Sequence, residues 1–335
     1  LMLGNNKNFN HLKVHTQYSI CEGAIKIDEL ADFCKSKKIK CIGLSDSYNL
    51  CGALEFSEKI SKVGTQPIIG TQINVNLNDI FGKVSLYATS ETGYKNLTKL
   101  SSKSYLKNDR ITEPSCNLED LLENNEDLVL LTGNYKNFFG KLFYKNKLKD
   151  IEEILNSLKS SFKNRLYIEV QRHNEHQEKN FENYLLNISK SLQIPLIATQ
   201  EIFYLDENMY EAHDALICIG EKNFVDDKNR FRYSNQHYLK SQEELENLYS
   251  DIPEALENNY NFHLRFNFKP KKSKPILPSI ANKESSSPEE ELSKLAKKGL
   301  ENRLANFILK KNKIESKEKI TKIYEDRLNH EINII

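Results

Sequence analysis

Seven short apolar runs, separated by amphipathic stretches, restrict this chain more than any other feature of its sequence. Val14 within His11-Leu12-Lys13-Val14-His15, then Cys41-Ile42-Gly43-Leu44, Pro67-Ile68-Ile69-Gly70, Val84-Ser85-Leu86-Tyr87, Leu128-Val129-Leu130-Leu131, Leu166-Tyr167-Ile168-Glu169-Val170 and Pro195-Leu196-Ile197-Ala198 read as buried strands. The stretches between them carry helical spacing. Ile27, Leu30, Ala31 and Cys34 fall on one helix face, as do Phe181, Tyr184, Leu185 and Ile188. Repeated strand-helix alternation predicts an α/β fold with a mostly parallel sheet, open or closed into a barrel. In such a sheet the polar residues that end the strands gather on one face. Here these are His15, Asp46 with Ser47, Gln72, Asn134, Gln171 to His173, and Gln200 with Glu201. A metal-dependent hydrolase needs His, Asp and Glu at most of those places, and few are present.

The chain of 335 residues can hold one large domain and an appendage. Hydrophobic residues make up 39% and charged residues 28%, the balance of a globular protein with a real core. Lysine and arginine number 48 against 47 acidic residues, so the net charge of +1 excludes a global attraction to polyanions, and any nucleic-acid contact must be local. Cys21, Cys34, Cys41, Cys51, Cys116 and Cys218 form no CxxC pair, which fits a reduced cytoplasmic protein. No apolar run approaches the roughly 18 residues that a membrane span requires, and the opening residues 1–6 lack the apolar stretch of a signal peptide. No membrane partner is expected. The opening on Leu1 and the stop at Ile335 inside a helical pattern suggest a piece of a longer protein.

Beyond about residue 206 the strand signal gives way to helices, with a capping box at Ser241 and Glu244. Prolines, a serine triplet and the basic cluster Lys269, Lys271, Lys272 and Lys274 give linker composition, and Ser287-Pro288-Glu289-Glu290 opens a new helix. The expected division is a barrel with a helical extension over 1–265, a linker over 266–287 and a truncated helical region over 288–335.

The segment from Phe9 to Ala24, FNHLKVHTQYSICEGA, resembles the opening motif of the polymerase-and-histidinol-phosphatase (PHP) domain in the alpha subunits of bacterial DNA polymerase III, the C-family replicative polymerases. The resemblance continues, in the family's order, through LSDSYNLCGA (44–53), PIIG (67–70), ETGYKNL (91–97), PLIAT (195–199) and DIPEAL (251–256). It covers residues 9 to about 260, and Tyr324 to Ile335 looks like the segment leading into the polymerase palm. The fold it implies is a distorted seven-stranded parallel (β/α)7 barrel, then a linker and the start of a helical polymerase region.

In metal-bearing members of this family, a set of His, Asp, Glu and Cys ligands assembles up to three ions, an arrangement suited to phosphoester hydrolysis. Carried over by resemblance, that set is degenerate here. The opening His pair becomes Lys13 and His15, and the following carboxylate is Glu22. Ser47 replaces a His, Gln72 a Glu, Lys83 a His and Asn134 a Cys, and the closing Asp-x-His becomes Glu201 and Phe203. Only His15, Glu22 and Glu201 could still ligate a cation, so no metal or catalytic residues are expected in this piece. Lys13 would oppose a cation and offer a carboxylate a salt-bridge partner.

By the same resemblance, the intact protein is expected to be a DNA-directed DNA polymerase, a nucleotidyltransferase using Mg2+ held by palm aspartates beyond Ile335. Its implied partners are primer-template DNA, a proofreading exonuclease and other replicase subunits. The piece itself would be an inactive scaffold that docks the exonuclease. The alternative is a metal-dependent PHP phosphoesterase. Other candidates have plainer readings: His173 and His176 as a surface pair, His213-Asp214 as packing at a helix start, and the aromatics Tyr204, Tyr210, Phe224, Phe231, Tyr233 and Tyr238 beside Lys228, Arg230 and Arg232 as core rather than a single-strand platform. No GxxxxGK[ST] phosphate loop occurs.

Overall fold

The computed structural model describes residues 7–77, 80–106, 113–276, 287–311 and 314–335. All seven apolar runs are strands. They belong to a sheet of nine: β1 (His11–Val14), β2 (Cys41–Ser47), β3 (Gln66–Leu77), β4 (Ile80–Ala88), β5 (Ser115–Asn117), β6 (Leu128–Leu131), β7 (Leu166–Gln171), β8 (Leu196–Thr199) and β9 (Glu201–Ile202). The order across the sheet is β8-β7-β6-β4-β3-β2-β1-β9, with β5 beside β3. Only Gln200 separates β8 from β9, yet β8 pairs with β7 and β9 pairs with β1, Lys13 standing opposite Glu201. The two ends of the sheet thus meet at one interrupted strand, which makes it a nearly closed barrel.

The sheet is mostly parallel, as the repeated alternation predicts, with one exception that the seven-stranded parallel barrel did not include. β4 runs antiparallel to both β3 and β6. The cause is the short connection from Leu77 to Ile80, since a parallel neighbour needs a crossover of a dozen or more residues. The same hairpin places Gln72 in the middle of β3 rather than at a strand end.

Elsewhere the local rules hold. The helix Ile27–Lys37 buries Ile27, Leu30, Ala31 and Cys34, carries Asp28 and Glu29 in its first turn, and ends at Lys38 in the left-handed conformation. Gly70 faces the Tyr87 ring so closely that a Cβ there would lie 2.4 Å from it; Tyr87 is fully buried and donates a hydrogen bond to the Leu12 carbonyl at 3.0 Å. The capping box forms, Ser241 N donating to Glu244 Oε2 at 2.7 Å.

Two compact units emerge, Leu1–Lys272 and Ser273–Ile335. The first extends past residue 265 because Gln66 Nε2 donates to the Phe266 carbonyl at 2.9 Å, Ser57 donates to the Pro270 carbonyl at 3.0 Å, and Lys272 pairs with Glu58 at 3.1 Å. Residues 277–286 of the expected linker lie outside the described residues. The second unit contains the helices Pro288–Arg303 and Ile314–Ile334, the first capped by Ser287, which accepts from Glu290 N at 3.2 Å. Among the described residues, no helix is long and apolar enough to cross a membrane, and the six cysteines are free thiols.

Candidate functional site

At the barrel mouth β1 and β7 bring a lysine and a glutamate together with no exposed side-chain surface on either. Lys13 Nζ lies 3.2 Å from Glu169 Oε1 and 3.9 Å from Glu201 Oε1. Glu169 is further held by Gly133 N at 2.8 Å, Gln171 Nε2 at 2.6 Å and the Thr199 hydroxyl. Glu201 accepts from Gln72 Nε2 at 2.6 Å and from Asn134 Nδ2 at 3.3 Å, and faces His15 Nε2 at 2.9 Å. Burial pushes the Glu201 carboxyl up, but the Lys13 charge and the His15 hydrogen bond outweigh it and hold it well below the usual carboxylate range.

His15 is committed on both sides. The Ser19 hydroxyl gives its single proton to Asp46 at 2.7 Å and accepts from Ser47 N at 3.1 Å, so it is an acceptor toward His15 Nδ1 at 3.1 Å. Glu201 is an acceptor at Nε2. Both ring nitrogens thus already face protein partners, Gln72 Nε2 also lying 3.3 Å from Nε2. Phe203 lies against the same ring, centroids 4.5 Å apart.

A second cluster stands beside the first. Lys83 on β4 donates to Glu22 Oε1 at 2.7 Å and to Ser47 Oγ at 2.9 Å, and Ser47 donates to the other Glu22 oxygen. Against the upward push of burial, the Lys83 charge brings the Glu22 carboxyl below its ordinary value. Burial alone would lower the Lys83 ammonium, yet Glu22, Tyr48 and Glu201 raise it well above an ordinary lysine.

Around these clusters lies a layer of buried imidazoles. His173 and His237 stack with centroids 4.0 Å apart; Glu201 N donates to His173 Nε2 at 3.2 Å, and His237 Nδ1 sits 3.0 Å from the Glu201 carbonyl. His213 Nε2 meets the Glu22 carbonyl at 2.8 Å. Burial brings each of the three rings down to about 4. Glu175 is pushed up by burial but brought to about 2 by His237, 3.6 Å away, and by hydrogen bonds from Lys136 and Tyr135. A cleft of about 820 Å³ opens over this floor.

The resemblance to PHP domains implies a multi-ion centre here, and these side chains do not fit one. Every carboxylate oxygen of Glu22 and Glu201 already accepts a hydrogen bond or faces an ammonium, and Lys13 and Lys83 put positive charge where a cation would need ligands. Among the described residues, no group of three or more His, Cys, Asp or Glu side chains is placed to hold a metal ion.

Residues 11–173 match the family of the PHP domain. The chain is 35% identical over 329 residues to the DNA polymerase III subunit alpha of Rickettsia felis, covering 98% of this chain and 27% of that protein. It is 34% identical over 335 residues to that of Caulobacter vibrioides, covering 98% and 29%. Over nearly its whole length, then, the chain is similar to DNA polymerase III alpha subunits. It corresponds to the N-terminal region of those subunits and spans under a third of the length of the curated relatives it matches. Among solved structures, an amidohydrolase from Chromobacterium violaceum aligns with a TM-score of 0.40 at 10% identity, over 58% of this chain and 87% of that one, a likeness too loose to bear on function.

Of the nine positions at which the polymerase III alpha motif departs or survives, Lys13, His15, Gln72, Asn134 and Glu201 share one network, and Glu22, Ser47 and Lys83 another, with Phe203 packed on His15. His173 is not the surface residue expected: it is 1% exposed and stacked, while His176 is exposed and both precede the helix Glu178–Leu192. Arg230 and Arg232 both bind Asp214, at 2.6 and 2.8 Å. Glu169 escaped the sequence reading although its signal was visible, a carboxylate inside the apolar run Leu166–Val170. His237 and Glu175 carried no such signal, because they reach the site from loops.

Proposed function

We propose that this chain is part of a replicative DNA polymerase whose intact form adds deoxynucleotides to a primer 3′ end in the cytoplasm, and that these residues form a non-catalytic scaffold docking a proofreading exonuclease subunit. Alignment over 98% of the chain to DNA polymerase III alpha subunits carries the reading. Palm aspartates outside residues 1–335 would hold the Mg2+ ions that polarise the primer hydroxyl and steady the leaving pyrophosphate. A mouth neutralised by lysine-glutamate pairs supports the scaffold role, because its carboxylates are already engaged by fixed positive charge.

An apolar surface supports docking. Ile20 and Ile219 are 82% and 70% exposed, and the residues beside them, Cys21 and Gly220, pack so closely that a Cβ on Gly220 would come 2.7 Å from Cys21 Cβ. The test is twofold. Intact protein should extend a primer and residues 1–335 should not; the 1–335 chain should co-elute with the exonuclease subunit, and Ile219→Asp should abolish co-elution. Primer extension by residues 1–335, or co-elution indifferent to Ile219→Asp, would contradict it.

A further inference from the structure

A second cleft, of about 620 Å³, lies on the barrel flank and shares no lining residue with the mouth. It is formed by the end of the helix Ile27–Lys37, the starts of β1 and β2, and segments 205–208 and 238–244. Phe33, Ile39, Leu205 and Tyr238 supply apolar wall. The size suits a small organic ligand.

Two buried polar groups in its lining lack the partners that burial demands. Lys240 is 5% exposed; its ammonium donates to the Gln236 carbonyl at 2.5 Å and lies 3.8 Å from the Tyr238 ring centroid. No carboxylate forms an ion pair with it among the described residues, and burial takes it down to about 8 against the more distant charges of Glu244 and Glu207. His11 is also 5% exposed, and its Nδ1 has no hydrogen-bond partner in the protein. Burial and the Lys240 charge bring the imidazole to about 4, so it is neutral and presents one donor and one acceptor. A buried ammonium with no carboxylate beside it is costly, and an anion in the cleft removes that cost.

We propose that this cleft binds a small organic anion, a planar apolar body bearing a phosphate or a carboxylate, with Lys240 as its counter-charge and the His11 ring in the wall beside it. The lining carries Lys37, Lys38, Lys40 and Lys240 against Asp206, Glu207 and Glu244, so the lysine side of the cleft is where such an anion would approach. The apolar walls take the body, and the Lys240 ammonium selects for the charged end.

The probes are phenyl phosphate and benzoate, titrated into the 1–335 chain by calorimetry and followed at the His11 imidazole resonances. Saturable binding of either supports the proposal, and the tighter of the two identifies the acidic group. Lys240→Met should weaken that probe about tenfold or more, as expected for loss of a charge-assisted contact. Should Lys240→Met fail to fold, the unaltered chain still decides. Neither probe shifting the His11 resonances in a saturable way would overturn the proposal, as would binding that is unchanged in a folded Lys240→Met protein.

Discussion

Lys13 Nζ lies 3.2 Å from Glu169 Oε1, and neither side chain exposes any surface. Two charges removed from water are tolerated there because each has its partner and further hydrogen bonds. Lys13→Met leaves Glu169 and Glu201 with uncompensated charge and should destabilise the 1–335 chain by about 3–5 kcal/mol in urea denaturation. Lys13→Met combined with Glu169→Gln should cost less than the sum of the two single changes. Additive costs would show that the pair is not coupled.

Acid should loosen the barrel in two stages. His11, His173, His213 and His237 titrate at about 4 in the fold and near 6.5 when unfolded. The unfolded chain therefore binds more protons between those values, and the stability held above pH 6.5 is lost as pH falls toward 4. Glu175, brought to about 2, adds a contribution present above its unfolded value near 4.5 and lost on further acidification. Urea midpoints measured from above pH 6.5 down to pH 4 should fall steadily, and His173→Gln should flatten the slope. A flat profile across that window would mean that the imidazoles are not buried as neutral rings.

Gly23 ties the loop carrying Glu22 to β1. A Cβ at this position would lie 2.2 Å from the Thr16 carbonyl oxygen and 2.8 Å from that of His15, and backbone atoms cannot swing aside as a flexible side chain can. Gly23→Ala should cost about 1–3 kcal/mol through overpacking and displace Glu22 from Lys83. The displacement should appear as a weaker effect of Lys83→Met in the Gly23→Ala background than alone, both measured by urea unfolding.

The strand runs and the helix faces were legible in the sequence because burial on one side imposes a period, as Ile27, Leu30, Ala31 and Cys34 show. The direction of β4 was legible only in the shortness of the Leu77–Ile80 connection, which the apolar runs themselves do not report. At the site, each departing residue could be placed by its motif, but the reason Lys13 is tolerated could not. Its partner Glu169 stands 156 residues away in sequence, on a strand brought alongside only when the barrel forms. His173 misled for the same reason: polar residues just past a strand look exposed until the loop carrying His237 covers them.

The lysines at the mouth lead to a metal-binding test. Lys13 and Lys83 each fill, with a fixed positive charge, a position where metal-bearing PHP domains by resemblance use a neutral imidazole, and both are engaged by the carboxylates a cation would need. Replacing them removes that opposing charge and frees oxygens on Glu22 and Glu201. The 1–335 chain dialysed against zinc or manganese should retain well under one ion per molecule by elemental analysis. Lys13→His, Ser47→His, Gln72→Glu, Lys83→His, Asn134→Cys and Phe203→His combined should retain at least one, since imidazole, thiolate and carboxylate are the donors such ions take. Stoichiometric metal in the unaltered chain, with chelator-sensitive phosphoester hydrolysis, would make His15, Glu22 and Glu201 ligands and sink the scaffold reading. Failure of the six-fold variant to gain metal, with its fold intact by circular dichroism, would place the obstacle in the surrounding network of Glu169, Gln171 and His173.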